Sequence, residues 1–148
     1  MELYSRLTED MKSSMKAGDA GRTGTIRLLR GALKNEEIKT GHDLGEDEAT
    51  KVLVREAKQR RDSIEAYQTA GRSDLVDQEQ SELAIISGYL PTAMSEDELE
   101  KLVSDVVASM GATDMKQMGA VIGAVMKRAG AAADGGAVSR LVKEKLSA

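Results

Sequence analysis

Residues 95–110 read SEDELEKLVSDVVASM. Leu99, Leu102, Val103 and Val106 fall at the i, i+3, i+4, i+7 spacing that places apolar side chains on one face of a helix. Ser95 stands before them with Glu98 three residues on, the pairing that satisfies free amides at a helix start. The acidic first turn suits the positive end of the helix dipole. This stretch reads as an amphipathic α-helix, and the same period runs through most of the chain around it.

Toward the N-terminus, Pro91 forbids continuation of a helix carrying Leu75, Glu79, Leu83, Ile86 and Leu90, for which Ser73 is the expected cap. A long helix is expected before it, from about residue 46 to 70, with Val52, Ala57, Ile64 and Tyr67 near one face and Gly71 at its end. The glycines at 41 and 45 mark residues 39–45 as a loop. Ile26, Leu29 and Leu33 define another helix, with Arg27, Arg30 and Lys34 on a neighbouring stripe. Leu3, Leu7, Met11 and Met15 define the first, which ends near Gly18. Toward the C-terminus, Thr113 or Asp114 can cap a sixth helix, through Lys127 or Arg128, and Asp134 a short last one ending near Leu146. No strand alternation of useful length occurs. The expected fold class is all-α: an N-terminal helical bundle over residues 1–91 and a small C-terminal three-helix domain over 92–148, divided at the Pro91-Thr92-Ala93-Met94 turn.

Composition narrows the function classes. The chain of 148 residues has no Phe, Trp or Cys, three Tyr and one Pro. Its core is therefore aliphatic, the aromatic platforms on which single-strand RNA binders stack bases are missing, and no disulfide, thiolate zinc site or cysteine nucleophile exists. The first thirty residues hold no apolar signal segment, and no apolar run is long enough to span a bilayer. A cytoplasmic monomer without membrane contact is the expectation. The formal net charge is −4, but it is unevenly spread. Residues 51–61 hold Lys51, Arg55, Lys58, Arg60 and Arg61 against Glu56 alone, and residues 114–148 hold six basic groups against three acidic ones. A weakly acidic chain can thus still present a basic face.

Candidate chemistry is sparse. His42, the only imidazole, sits in the glycine loop beside Asp43 and reads as a solvated residue rather than a base. Glu36 and Glu37 are adjacent on a helix and point in different directions, so they do not form an acid/base pair. Neither a phosphate-binding loop nor a metal-ligand cluster is present, and no cofactor is expected. Gly119 and Gly123 form a G-x-x-x-G on a helix, whose expected role is to let a neighbouring helix approach closely. The methionines are expected to fill gaps in a core without large aromatics.

Several segments together resemble the YqeY family: IRLLRGALKNEEI (26–38), REAKQRRDSIEAYQTAGRSDLVDQEQSEL (55–83), GYLP (88–91) and the closing LVKEKL. The C-terminal part also resembles the tail domain of GatB, a subunit of the tRNA-dependent amidotransferase. The resemblance implies two all-helical domains and the inherited label of carbon–nitrogen ligase activity with glutamine as amido-N-donor. In that assembly the chemistry belongs to other parts and the tail holds tRNA, so the resemblance implies a tRNA-associated accessory module that is not catalytic on its own. The partners it implies are tRNA or another structured RNA, together with amidotransferase or translation proteins. The cations that would touch RNA are Arg27, Arg30, Lys34, Lys58, Arg60 and Arg61 in the N-terminal bundle, and Lys116, Lys127, Arg128 and Lys143 in the C-terminal domain. The alternative reading is a helical protein–protein interaction module without RNA binding.

Overall fold

A computed structural model describes residues 1–148 and contains seven α-helices and no strand. The chain divides into two compact units, Met1–Leu90 and Pro91–Ala148.

In the first unit, α1 (Glu2–Lys16) packs on α2 (Ala20–Thr40), and α3 (Glu46–Thr69) pairs with α4 (Ser73–Ser87) as a second hairpin. α2 joins the two pairs, since it touches both α3 and α4. The core is aliphatic, as the composition requires: Leu3, Leu7, Ile26, Leu29, Leu33, Val52, Leu53 and Ile86 are buried, and Tyr89 closes one end. Met1 offers α1 no side-chain cap. Glu46, at the start of α3, supplies one across the unit, accepting from Glu2 N at 2.5 Å and Leu3 N at 3.3 Å. A carboxylate there meets both the free amides and the positive dipole end. Asp19 caps α2 by accepting from Arg22 N, and Gly41 ends it at φ +76°, a left-handed turn that glycine adopts without penalty. α2 therefore runs two residues into the stretch expected as loop. Arg72, not Ser73, is the residue before α4, and Ser73 is already helical.

In the second unit, α5 (Glu96–Met110), α6 (Met118–Ala129) and α7 (Gly135–Ser147) pack around Leu99, Val103, Val106, Val121, Val125, Val138 and Val142. Ser95 Oγ accepts from Glu98 N at 3.1 Å, and Asp134 Oδ2 accepts from Ala137 N at 3.2 Å. Asp114 caps a short 3₁₀ turn, Met115–Gln117, that leads into α6. No helix is long and apolar enough to cross a membrane.

Candidate nucleic-acid interface

The cations singled out in the sequence fall into three structural situations. Arg60 is the clearest, because it is only 9% exposed. Its guanidinium is held between Glu56, one turn back on α3, and Glu82 on α4, with Nε donating to Glu82 Oε2 at 3.3 Å and Nη1 donating to the Glu56 carbonyl at 3.3 Å. A guanidinium held between two carboxylates stitches α3 to α4, and both Nε and Nη1 are committed to that structural contact rather than free for a phosphate. Arg60 is therefore removed from the RNA-facing set.

Lys58 is exposed and paired with Asp62 at 3.1 Å, a solvent-screened contact that a phosphate can displace. Arg61 is exposed without an ion-pair partner, as is Arg27. Arg30 is half-buried against Tyr4, and Lys34 is bonded to Glu37 at 3.4 Å. The two adjacent acids of α2 thus serve different partners, Glu36 holding Arg55 at 3.1 Å and Glu37 holding Lys34. His42 is not idle: its Nε2 lies 2.9 Å from Glu48 Oε2, and Glu48 Oε1 in turn accepts from Gly45 N at 3.2 Å. That contact and the Glu48 charge raise the imidazole pKa above 6.5, while His42 and the Gly45 amide lower that of Glu48.

The second unit is different in kind. Arg140 is its one ion-paired cation, held by Glu96 and Glu144. Lys101, Lys116, Lys127, Arg128, Lys143 and Lys145 are all exposed and make no ion pair. Gly119 and Gly123 correct an expectation here. Both lie on the exposed side of α6, and a Cβ built on either meets nothing within 4 Å, so neither admits a neighbouring helix of this unit. Val121 and Val125 fill the packed side. An exposed strip consequently runs from Lys116, in the 3₁₀ turn before α6, past Gly119, Ala120 and Gly123 on α6 to Lys127 in its last turn, with only glycine and alanine on the exposed face between the two cations. Lys143 lies on α7, outside that strip, and Arg128 lies on the opposite side of α6 from Gly119. Sequence reasoning had named these cations without sorting them by face.

One concavity gathers polar groups. A cavity of about 790 Å³ opens between the start of α2 and α4, lined by Asp19, Arg22, Thr25, Gln78, Ser81 and Glu82 among others. Four of these six side chains are engaged locally, while those of Arg22 and Gln78 make no hydrogen bond or ion pair. Asp19 caps α2, Thr25 and Ser81 donate to carbonyls one turn back, and Glu82 holds Arg60. No hydroxyl there is paired with a base.

The profile of the family described as Yqey-like protein matches residues 4–146. The chain belongs to the YqeY family. Among curated relatives it is similar to proteins named "Altered inheritance of mitochondria protein 41, mitochondrial" from fungi. The Lachancea thermotolerans protein is 39% identical over 79% of this chain and 62% of its own length. The Pyrenophora tritici-repentis protein is 31% identical over 97% and 80%, and the Clavispora lusitaniae protein 40% identical over 68% and 60%. The chain thus spans less than two thirds of the first and third of these. All three are named mitochondrial, which overturns the cytoplasmic expectation. The absence of cysteine and of a spanning helix, on which that expectation was built, does not separate the two compartments.

Proposed function

We propose that this YqeY-family chain is an accessory module that binds structured RNA, tRNA first, and has no catalytic role of its own. The observation that carries the reading is the outer face of α6, where Lys116 in the preceding 3₁₀ turn and Lys127 in the last turn flank a strip of Gly119, Ala120 and Gly123 that stands open to solvent. Phosphate contacts position a duplex and need unpaired cations on a surface the backbone can approach. Lys116 and Lys127 are unpaired, and the glycines remove the side chains that would hold a phosphate chain away. The association with a tRNA-dependent amidotransferase is part of the same proposal, with this chain supplying RNA contact and other subunits the chemistry. The relatives' names point to a mitochondrial setting for that role.

The test is a titration of the purified protein with total tRNA at low and physiological salt, beside Lys127→Glu/Arg128→Glu and Lys58→Glu/Arg61→Glu variants. Binding that weakens steeply with salt and in the first variant supports the α6 face, whereas equal loss in the second moves the contact to α3. No binding at low salt sinks the reading.

One observation favours a second reading as a protein-interaction module. On α2, Leu28 is 56% and Ile38 80% exposed. Near them Gly24 and Gly31 leave open space, as a docking helix would need. Retained tRNA affinity in a Leu28→Glu/Ile38→Glu variant that loses a co-purifying protein separates the two.

A further inference from the structure

The seam between α1 and α2 gathers hydrogen-bond donors with little to receive them. The Arg30 guanidinium lies 5.0 Å from the Tyr4 ring centroid, and Lys34 Nζ lies 4.7 Å from the same centroid. The two charges are therefore closer than the roughly 10 Å over which 0.1 M salt screens them. Arg30 Nη2 donates to Tyr4 Oη at 3.1 Å and Nη1 donates to Met11 Sδ at 3.3 Å, while Nε is buried without an acceptor. Both acceptors are uncharged, and a thioether is a weak one. The Tyr4 hydroxyl spends a lone pair on Arg30 and keeps its own hydrogen. Glu37, 3.4 Å from Lys34, is the carboxylate bonded in this cluster, and it leaves the Arg30 charge without a counter-ion.

Guanidinium groups taken out of water normally meet a carboxylate, as Arg60 does in the same unit. Arg30 instead meets a π face and a sulfur. Arg27, one turn before, lines a cavity of about 320 Å³ with Met15 and Thr23, and Lys34, one turn after, lines another of about 390 Å³ with Ile38 and His42. Arg30 itself lines neither of these cavities, of which the first also holds Asp19 and the second Glu37 and Asp43.

We propose that Arg30, Lys34 and the Tyr4 hydroxyl form an anion site that takes a phosphate group. A planar guanidinium fork, a point ammonium charge and a phenolic hydrogen together match a group that offers several acceptor oxygens at once. Tyr4 sets the geometry, holding both cations on one ring so that the incoming anion relieves their mutual repulsion. Arg27 extends the site for an anion that carries a second phosphate. This site lies in the first unit and does not rest on RNA binding by α6. The phosphate comes either from a small phosphorylated molecule or from an RNA backbone, and the chemistry at Arg30 is the same for both.

The experiment is thermal unfolding of the full chain in inorganic phosphate against chloride at equal ionic strength, read together with the Arg30 Nε–H resonance during a phosphate titration. The expected result is a melting rise of about 2–5 °C at saturating phosphate, a displaced Arg30 resonance, and loss of the rise in Arg30→Met. Tyr4→Phe keeps the ring under both cations and removes only the hydroxyl, and it weakens the phosphate response several-fold. A second arm titrates tRNA. Weaker tRNA binding by Arg30→Met assigns the phosphate to a polymer, and unchanged tRNA binding with the inorganic phosphate response lost assigns it to a small ligand. A wild-type chain that responds to phosphate no more than to chloride, or a response that survives in Arg30→Met, overturns the proposal.

Discussion

Replacing Arg60 by methionine separates a structural guanidinium from an RNA-binding one. Its side chain is 11% exposed and its two carboxylate partners 18% and 17%. Breaking a buried charge network by deleting one partner costs about 3–5 kcal/mol, most of it the penalty of stranding the charges left behind. Glu56 and Glu82 keep an edge toward solvent, so water recovers part of that penalty and about 2–3 kcal/mol is expected. For a unit of this size that corresponds to a fall in melting temperature of roughly 10–20 °C. Urea unfolding followed by helical circular dichroism measures it, with tRNA titration alongside. A companion Arg60→Met/Glu56→Leu/Glu82→Leu variant removes the stranded charges and should recover most of the loss, because apolar replacement of a whole buried network is close to neutral. An Arg60→Met protein within about 0.5 kcal/mol of wild type that also binds tRNA more weakly would refute the reasoning and return Arg60 to the RNA-facing set.

Other expectations follow from single contacts. The His42–Glu48 clasp has a defined window. The raised His42 pKa contributes stability that is present below 6.5 and lost as pH rises through the folded value, while the lowered Glu48 pKa contributes stability that is lost as pH falls below 4.5. An imidazole titration by nuclear magnetic resonance should give a midpoint above 6.5 that Glu48→Gln brings down, and an unmoved midpoint in that variant would remove the clasp. Gly123→Ala should stabilise the second unit by about 0.5–1 kcal/mol, because the added methyl meets open space in a helix interior. The same change thickens the α6 strip and should weaken tRNA binding, and destabilisation instead would mean the face is packed. Tyr89 donates to Asp10 while burial and that carboxylate push its phenol up to about 12. An ultraviolet titration of the three tyrosines should therefore show one ionising near that value, and Asp10→Asn should lower it. Because the shift is upward, the stability it lends is complete below pH 10 and fades as pH climbs toward 12.

What was legible in the sequence was local. Ser95 with Glu98 and Asp134 before Ala137 are contacts between residues three apart, so a one-dimensional reading finds them, and the apolar period located the first five helices while cap residues located the last two. Arg60 shows the limit. Its contact with Glu56 is an i,i+4 pair, but Glu82 is on another helix 22 residues away, and only the α3–α4 hairpin makes the arginine internal. Ser73 failed as a cap because Arg72 lies before the helix and Ser73 is its first residue. The glycine pair of α6 is a different case, since the signal was present and outweighed. Val121 and Val125 follow Gly119 and Gly123 by two residues, about 200° around the helix, so valines and glycines cannot face the same neighbour. The G-x-x-x-G spacing was weighed without that geometry.

Tyr4, Tyr67 and Tyr89 all lie before Leu90. The second unit has no chromophore beyond its peptide bonds. Tyrosine emission and near-ultraviolet dichroism therefore report the first unit alone, whereas far-ultraviolet dichroism sees both. Natural labelling thus gives a test of cooperativity without any engineered probe: if the two signals melt together the units share one transition, and if they part, the lag between them is the second unit's own stability.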